Sequence, residues 1–333
     1  MSRVRLGILG VSWWTDVVWP GFAQAENAEI TWIASRTGEK AEKFACEHNI
    51  PHWSSDYREV LTAPDVDAVF VGVPNFLHEE MAIAAIANGK HVLQEKPMAL
   101  SYEKAVAQAE VAASRKRVLM INQEVRLANG VSSLPQIISE RVGPLRKLVI
   151  GVTLAPAQWG GWRGDPALSG GTLFEMAIHQ LDLARWLFGR NPRSVWAQGM
   201  DVSGNDMTVV FDYGGGDSAI IDYCWRCIGF RMRIEAYGAR GYVIQDLELP
   251  FGDGRQTLVT EQGEERTEFP ARVQGSETFK RVLEGFASAI LEGKEPPVPA
   301  EDGVWAVYMA EAARESLHTG QKVSFRFVED EIG

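Results

Sequence analysis

Short, mainly apolar segments recur in the first third of the chain, and most of them are followed by residues with helical spacing. These segments are Val4–Leu9, Ile30–Ala34, Ala68–Val73, His91–Gln94 and Val118–Ile121. A strand that is apolar along its whole length is buried on both faces, which is typical of a parallel sheet covered by helices. The alternation therefore predicts an α/β domain with a doubly wound parallel sheet, which we place at residues 1–122.

The pattern changes at about residue 123. Helices are predicted near Ser132–Arg141 and over Thr172–Phe188, and the first is followed by a long strand. Further strands with glycine turns between them are predicted at Leu145–Leu154, Ser194–Met200, Asp206–Tyr213, Asp217–Trp225, Arg231–Tyr237 and Tyr242–Asp246. Two helices, Ser276–Glu292 and Glu301–Thr319, precede a last strand at Val323–Phe327. Residues 123–333 thus read as an α+β domain with a large open, mainly antiparallel sheet, whose C-terminal segment could pack back on the first domain.

Charge and cysteine content exclude some classes of protein. The 333 residues contain 33 Lys and Arg against 44 Asp and Glu, a net charge of −11, which disfavours nucleic-acid and anionic-membrane partners. Three cysteines suggest a reducing compartment, and we expect a cytoplasmic protein without a membrane span. Cys224 and Cys227 fall in a predicted strand, Ala219–Ile228, where residues three apart lie about 10 Å from each other, too far for a disulfide.

The turn after the first strand is a candidate phosphate site. A dinucleotide-binding fingerprint would place glycine at positions 10, 12 and 15, and only Gly10 is present. Ser12 could cap the next helix or bind a phosphate, while Pro20 is predicted to end or kink that helix. Taken alone, the turn is explained better by an ordinary strand–turn–helix.

Ser35 and Arg36 follow the second strand. An arginine beside a serine suits the 2′-phosphate of NADP, whereas NAD-preferring sites usually have an acidic residue here. A solvated arginine at a helix start explains the same two residues equally well.

Three further motifs complete a recognisable series. They are Pro74-Asn75-Phe76-Leu77-His78, Glu95-Lys96-Pro97, and Gly170-Gly171-Thr172-Leu173-Phe174-Glu175-Met176-Ala177-Ile178-His179-Gln180-Leu181-Asp182. With Gly10 and Ser35-Arg36, this series resembles the glucose–fructose oxidoreductase / inositol dehydrogenase / MocA (Gfo/Idh/MocA) family over nearly the whole chain. The resemblance implies a Rossmann domain and an NAD(P)-dependent oxidoreductase that transfers hydride between nicotinamide and a sugar, cyclitol or related polyol.

The resemblance also implies roles for individual residues. Lys96 would lie beside the nicotinamide and the reacting hydroxyl, and His179 with Glu175 would handle the proton. The cofactor-binding residues would be Gly10, Ser12, Trp13, Trp14, Ser35, Arg36, Pro74, Asn75, His78, Glu95 and Lys96. NADP(H) is favoured and NAD(H) is possible. A homodimer or homotetramer is expected.

Substrate contacts are predicted after the fifth strand and in the second domain. They are Arg126, Trp162, Arg163, Glu175 and His179. Glu175, His179 and Asp182 have i, i+4, i+7 spacing and would share one face of an α-helix. Packing in a glycine-rich loop would equally explain Trp162 and Arg163, which follow Trp159. A satisfied core histidine is the plain alternative for His179, and no metal-ligand spacing is found.

Two other functions remain open at this point. Related chains use a tightly held NAD for transient oxidation and act as glycosidases or lyases. A non-catalytic regulator of the same fold could bind a dinucleotide or ligand without turnover, and the altered turn at residues 10–15 favours this slightly, whereas Lys96 and His179 argue against it.

Overall fold

The computed structural model describes residues 3–155, 160–199, 205–248, 252–271 and 274–326. Contacts within the chain group it into two compact units. Unit 1 comprises Met1–Leu127 and Gly275–Val307, and unit 2 comprises Ala128–Gln274 and Tyr308–Gly333. Unit 1 thus extends a few residues beyond position 122, where the sequence placed the domain boundary, and takes in a later segment of the chain.

A parallel sheet forms the centre of unit 1. Its described residues supply six strands in the order β3-β2-β1-β4-β5-β6. Their bounds are β1 Val4–Leu9, β2 Ala28–Ala34, β3 His52–Ser54, β4 Ala68–Val71, β5 His91–Glu95 and β6 Leu119–Asn122. The prediction of a doubly wound parallel sheet is confirmed, since all pairings in this sheet are parallel. The carboxyl ends of these strands therefore meet at one edge.

Helices connect and cover these strands. They are α1 Trp13–Phe22, α2 Gly38–His48, α3 Tyr57–Thr62, α4 His78–Ala87, α5 Tyr102–Ser114 and, after unit 2 in the chain, α9 Gln274–Glu292. Pro20 does not end the first helix, because α1 continues to Phe22. Pro20 lies in the last turn of α1, where a missing N–H removes only one bond near a helix end.

Unit 2 contains a larger, mixed sheet. Its described residues supply nine strands in the order β14-β13-β12-β11-β7-β10-β9-β8-β15. Their bounds are β7 Leu145–Leu154, β8 Ser194–Gly199, β9 Asp206–Gly214, β10 Asp217–Cys224, β11 Phe230–Gly238, β12 Gly241–Glu248, β13 Gly254–Thr260, β14 Gly263–Phe269 and β15 Val323–Ser324. Only β7 and β10 pair in parallel among these described strands. The predicted mainly antiparallel sheet is confirmed.

The helical segments of unit 2 are shorter and less regular. They are α6 Leu134–Ile137, a π-helical turn at Ile138–Val142, α7 Pro166–Ser169, a second π-helical turn at Leu173–Ala177, and α8 Ile178–Phe188. The last helix, α10 (Ala300–Thr319), begins in unit 1 and ends in unit 2. The last predicted strand covers only Val323–Ser324, and its proposed end at Phe327 lies outside the described residues.

The prediction of free Cys224 and Cys227 is wrong. Strand β10 ends at Cys224 instead of continuing to Ile228, and the chain turns immediately afterwards. The turn brings the two Cα atoms within 5.9 Å, and the cysteines form a disulfide. The 10 Å separation holds only for an extended chain, so it did not apply here.

Candidate active site

The turn between β1 and α1 is closely fitted to its surroundings at Gly10. This residue has a φ of +114°, and a Cβ placed on it would lie 2.4 Å from the carbonyl oxygen of Gly72. Only glycine combines that backbone conformation with so close an approach. The turn after β1 therefore packs directly against the end of β4, at the carboxyl edge of the sheet.

Hydroxyl groups brace the rest of this turn. The Ser12 Oγ accepts a hydrogen bond from the backbone N–H of Trp14. The Thr15 hydroxyl oxygen accepts one from the backbone N–H of Ser12, and the same hydroxyl donates to the carbonyl oxygen of Gly10. Ser12 and Thr15 thus form a capping box, which confirms the predicted cap. The positive N-terminal end of α1 remains favourable to an anion.

Two tryptophans open α1. Trp13 is 52% exposed, whereas Trp14 is half-buried and meets it edge to face, with ring centroids 5.3 Å apart. The Trp14 Nε1 donates a hydrogen bond of 2.6 Å to the Glu95 Oε1, across 81 positions of sequence. This contact joins the start of α1 to the end of β5.

The Glu95-Lys96-Pro97 turn follows β5. Glu95 is buried, and its Oε1 also accepts a 2.6 Å hydrogen bond from the Asn122 Nδ2 at the end of β6. Burial raises the pKa of the Glu95 carboxyl, while the Lys96 charge and the hydrogen bonds from Trp14, Asn122 and the Lys96 backbone oppose that shift. Lys96 itself is half-buried, and the Lys96–Pro97 peptide is cis.

His78 lies beneath this turn. Its ring is buried, with Nδ1 2.7 Å from the carbonyl oxygen of Pro97 and Nε2 2.9 Å from that of Val73. The imidazole therefore links the turn after β4, which contains Pro74 and the buried Asn75, to the turn that carries Lys96. A cofactor contact of His78, Pro74 or Asn75 stays a prediction.

Ser35 and Arg36 form the turn between β2 and α2. The Ser35 Oγ accepts a long, 3.4 Å hydrogen bond from the backbone N–H of Thr37. Arg36 is exposed, and within the described part of the chain its guanidinium makes no hydrogen bond or ion pair. A positive group is thus available at the carboxyl end of β2.

In unit 2, the predicted substrate residues Trp162, Arg163 and Glu175 lie together. The guanidinium carbon of Arg163 lies 4.3 Å from the centroid of the Trp162 ring, and the Arg163 Nε donates a 3.0 Å hydrogen bond to the Glu175 Oε1. Both charged side chains are largely buried. Glu175 is therefore a carboxylate held by a cation that stacks on an indole. Trp159 lies outside the described residues.

His179 lies in the first turn of α8 and is 8% exposed. The prediction of one regular α-helix over Thr172–Phe188 is wrong, because Leu173–Ala177, which contains Glu175, forms a π-helical turn before α8; a shared face of Glu175, His179 and Asp182 stays a prediction. A π turn bonds i to i+5 and rotates its residues away from α-helical positions. Such turns occur frequently at functional sites.

Arg126 is buried in unit 1, with 3% of its side chain exposed. It lies in a short 3₁₀ turn after β6, and its Nη1 donates a 2.6 Å hydrogen bond to the Asp302 Oδ2 in the first turn of α10. The contact that the structure shows is thus a buried ion pair, and the predicted substrate contact stays a prediction.

Removing the guanidinium of Arg126 is expected to destabilise the protein. Arg126→Met leaves the carboxylate of Asp302 without this partner, and breaking a buried pair in this way costs about 3 kcal/mol. Chemical denaturation measures the effect, with the exposed pair Arg58–Asp56 as the control. Arg58→Met should cost less than about 1 kcal/mol. If both variants lost the same free energy of unfolding, the Arg126–Asp302 pair would contribute no more to stability than a surface contact.

Comparison with known proteins decides the family. The model of an oxidoreductase family with an NAD-binding Rossmann fold, Gfo/Idh/MocA, matches residues 4–123, and the model of its C-terminal alpha/beta domain matches residues 139–325. The chain belongs to the Gfo/Idh/MocA oxidoreductase family. The predicted resemblance is confirmed, and the protein is an oxidoreductase with an NAD-binding domain.

Individual family members match over most of their length. The 1,5-anhydro-D-fructose reductase of Ensifer adhaerens is 29% identical over 95% of this chain and 97% of its own. The scyllo-inositol 2-dehydrogenase (NADP(+)) of Bacillus subtilis is 28% identical over 66% of this chain and 69% of its own. The crystal structure of aldose-aldose oxidoreductase from Caulobacter crescentus, complexed with glycerol, is 26% identical with a TM-score of 0.86, covering 97% of this chain and all of that one.

The described part of the chain contains no helix that is both long enough and apolar enough to cross a membrane. Its His, Cys, Asp and Glu side chains form no group of three or more that could hold a metal ion.

Proposed function

We propose that the protein is an NAD(P)-dependent oxidoreductase acting on a CH–OH or carbonyl group of a sugar, cyclitol or related polyol. The observation that carries the proposal is the braced Glu95-Lys96-Pro97 turn, which holds a half-buried lysine at the carboxyl edge of the parallel sheet. The names of the reductase and the inositol dehydrogenase described above support this substrate class.

The residues at the sheet edge fit a dinucleotide. Gly10 lets the backbone pass where any Cβ would clash, and α1 directs its positive end toward the same turn. Gly10, Ser12 and Trp13 would hold the pyrophosphate side, and Pro74, Asn75 and the Glu95–Lys96 turn would hold the nicotinamide side. When bound, the nicotinamide ring takes up or supplies the hydride.

Lys96 and His179 would manage the proton of the substrate hydroxyl. The Lys96 ammonium polarises a substrate carbonyl and donates a proton to its oxygen during reduction, and the neutral amine takes that proton back during oxidation. His179 would serve as a general acid or base for the same hydroxyl. Glu175, held by Arg163, would orient the substrate or the imidazole instead of acting as an independent base.

An assay of purified protein tests the proposal. Absorbance at the nicotinamide band would be followed with each of the four dinucleotide forms, against a panel of aldoses, anhydro-sugars, inositols and their keto derivatives. We expect turnover with at least one combination of dinucleotide and substrate. No turnover, together with no calorimetric binding of either reduced dinucleotide, would refute the proposal.

Arg36 is proposed to select NADP(H) over NAD(H). Its exposed guanidinium, which has no hydrogen-bond or ion-pair partner among the described residues, and the neighbouring Ser35 can bind a 2′-phosphate. Loss of a hydrogen bond to a charged group costs about 1.5–3 kcal/mol, so Arg36→Ala should lower the NADPH/NADH ratio of kcat/KM about 10- to 100-fold. Arg115→Ala, which removes an exposed arginine at the end of α5, is the matched control. An unchanged ratio in Arg36→Ala would contradict this role.

We also propose a cytoplasmic location, because the dinucleotide cofactor is maintained there. A homodimer or homotetramer would bury part of the open sheet of unit 2, and light scattering of the purified protein measures the mass directly.

A further inference from the structure

The proposed reaction gives no role to Trp14, although this side chain lies close to the proposed dinucleotide-binding turn. It lies in the first turn of α1, yet its polar atom is directed away from that turn and into the sheet edge, where it bonds Glu95. Two elements thus meet at the carboxylate at the end of β5: α1 through Trp14 and β6 through Asn122. Glu95 has no place in the proton transfer described above.

The carboxylate of Glu95 depends on its donors. The indole N–H and the Asn122 amide both bond the same oxygen, each at 2.6 Å. A buried carboxylate that loses one donor gives up a charge-assisted hydrogen bond and reorients to recover it. Because Glu95 is joined to Lys96 by a peptide bond, a shift of Glu95 moves the backbone from which the lysine side chain extends.

The Trp14 ring also packs against two aromatic side chains. It meets the fully buried Phe279 of α9 edge to face, with centroids 5.7 Å apart, and meets Trp13 in the same manner at 5.3 Å. Edge-to-face pairs of this kind add stability beyond the area that they bury. The Trp14 N–H therefore reaches Glu95 from a rigid support and not from a mobile surface side chain.

We propose that Trp14 is a positioning residue for Lys96. It orients Glu95, Glu95 orients the Lys96 backbone, and the start of α1 is thereby connected to the residue that transfers the proton. The inference rests on the proposed function, because it assigns Trp14 a part in that reaction. It predicts that the chemical step depends on the indole N–H although the indole is not itself a proton donor to substrate.

Trp14→Phe tests the proposal, since it keeps an aromatic ring against Phe279 and removes the N–H. We expect kcat to fall about tenfold, the equivalent of one hydrogen bond to a charged group, with the KM for the polyol and the Kd for dinucleotide changing less than about threefold. The matched control is Trp32→Phe, because the Trp32 Nε1 also donates to a carboxylate, that of Asp65, at 3.0 Å. A fall in kcat of equal size in both variants would overturn the proposal.

A double-mutant cycle separates positioning from packing. Glu95→Gln keeps a carbonyl oxygen for both donors and removes the charge. If Trp14 acts through Glu95, the fall in kcat of the double variant is smaller than the product of the two single falls by about threefold or more. If the two effects multiply, Trp14 acts on the ring contacts alone and the proposal fails.

Amide exchange of the dinucleotide-free protein gives a readout that needs no turnover. We expect the Lys96 amide to exchange at least about tenfold faster in Trp14→Phe than in wild type, and to be unchanged in Trp32→Phe. Unchanged exchange in Trp14→Phe overturns the positioning role. If the wild-type protein shows no turnover, the proposed function is refuted. The amide exchange rates then still show whether Trp14 positions Lys96.

Discussion

Lys96→Met is expected to lower kcat about 10³-fold while leaving the Kd for dinucleotide within about threefold of wild type. Methionine keeps the apolar stem and removes the ammonium, so the variant loses the proton donor and the polarising charge and little packing. General acid–base catalysis contributes about 10²- to 10⁴-fold. Steady-state kinetics measures kcat, and titration calorimetry measures the binding of the reduced dinucleotide.

The control for this substitution is Lys104→Met. Lys104 belongs to α5 in the same unit and forms a surface ion pair with Glu79 at 2.7 Å. An exposed pair contributes less than about 1 kcal/mol, so kcat should equal that of wild type. Turnover of Lys96→Met near the wild-type rate would remove Lys96 from the mechanism, even with the fold and the cofactor site intact.

The strands of unit 1 could be predicted from the sequence because burial on both faces leaves a continuous apolar pattern. Every residue of β4 is buried, and five of the six residues of β1 are. β3 was missed, since it has only three residues and two of them are exposed. The hairpin β13–β14 was missed for a related reason: β14 is almost wholly exposed and charged, and only backbone pairing with β13 defines it.

Local geometry produced the two clearest errors. The separation of Cys224 and Cys227 depends on where β10 ends, and strand ends are set by turns that the spacing of side chains does not report. The π-helical turn at Leu173–Ala177 has the same apolar residues as an α-helix, so the sequence offers no periodic signal for it.

The candidate site could be predicted as a set of residues but not as a network. The rule that ligands bind at the carboxyl ends of parallel strands selected Gly10, Arg36 and Lys96. The same rule applied to β6 would have selected Asn122, which was overlooked. The bond between Trp14 and Glu95 carries no such signal, because it joins positions 81 residues apart through one rotamer of each side chain.

His179→Asn is expected to lower kcat about 10²- to 10³-fold, since asparagine retains a polar, hydrogen-bonding side chain but cannot accept a proton near neutral pH. The histidine lies directly after the π turn that carries Glu175, and Arg163 holds that carboxylate at 3.0 Å. The alternative, a core histidine, predicts lower stability with kcat unaffected.

Two measurements distinguish these roles of His179. The two measurements are kcat and the melting temperature, because loss of the proton acceptor lowers kcat whereas loss of packing lowers the melting temperature. His318→Asn is the control, because His318 lies exposed in the last turn of α10 in the same unit and should keep the wild-type rate and melting temperature. A His179→Asn variant that unfolds more easily but turns over at the wild-type rate would assign His179 to the core. Loss of rate with an unchanged melting temperature would assign His179 to the chemistry.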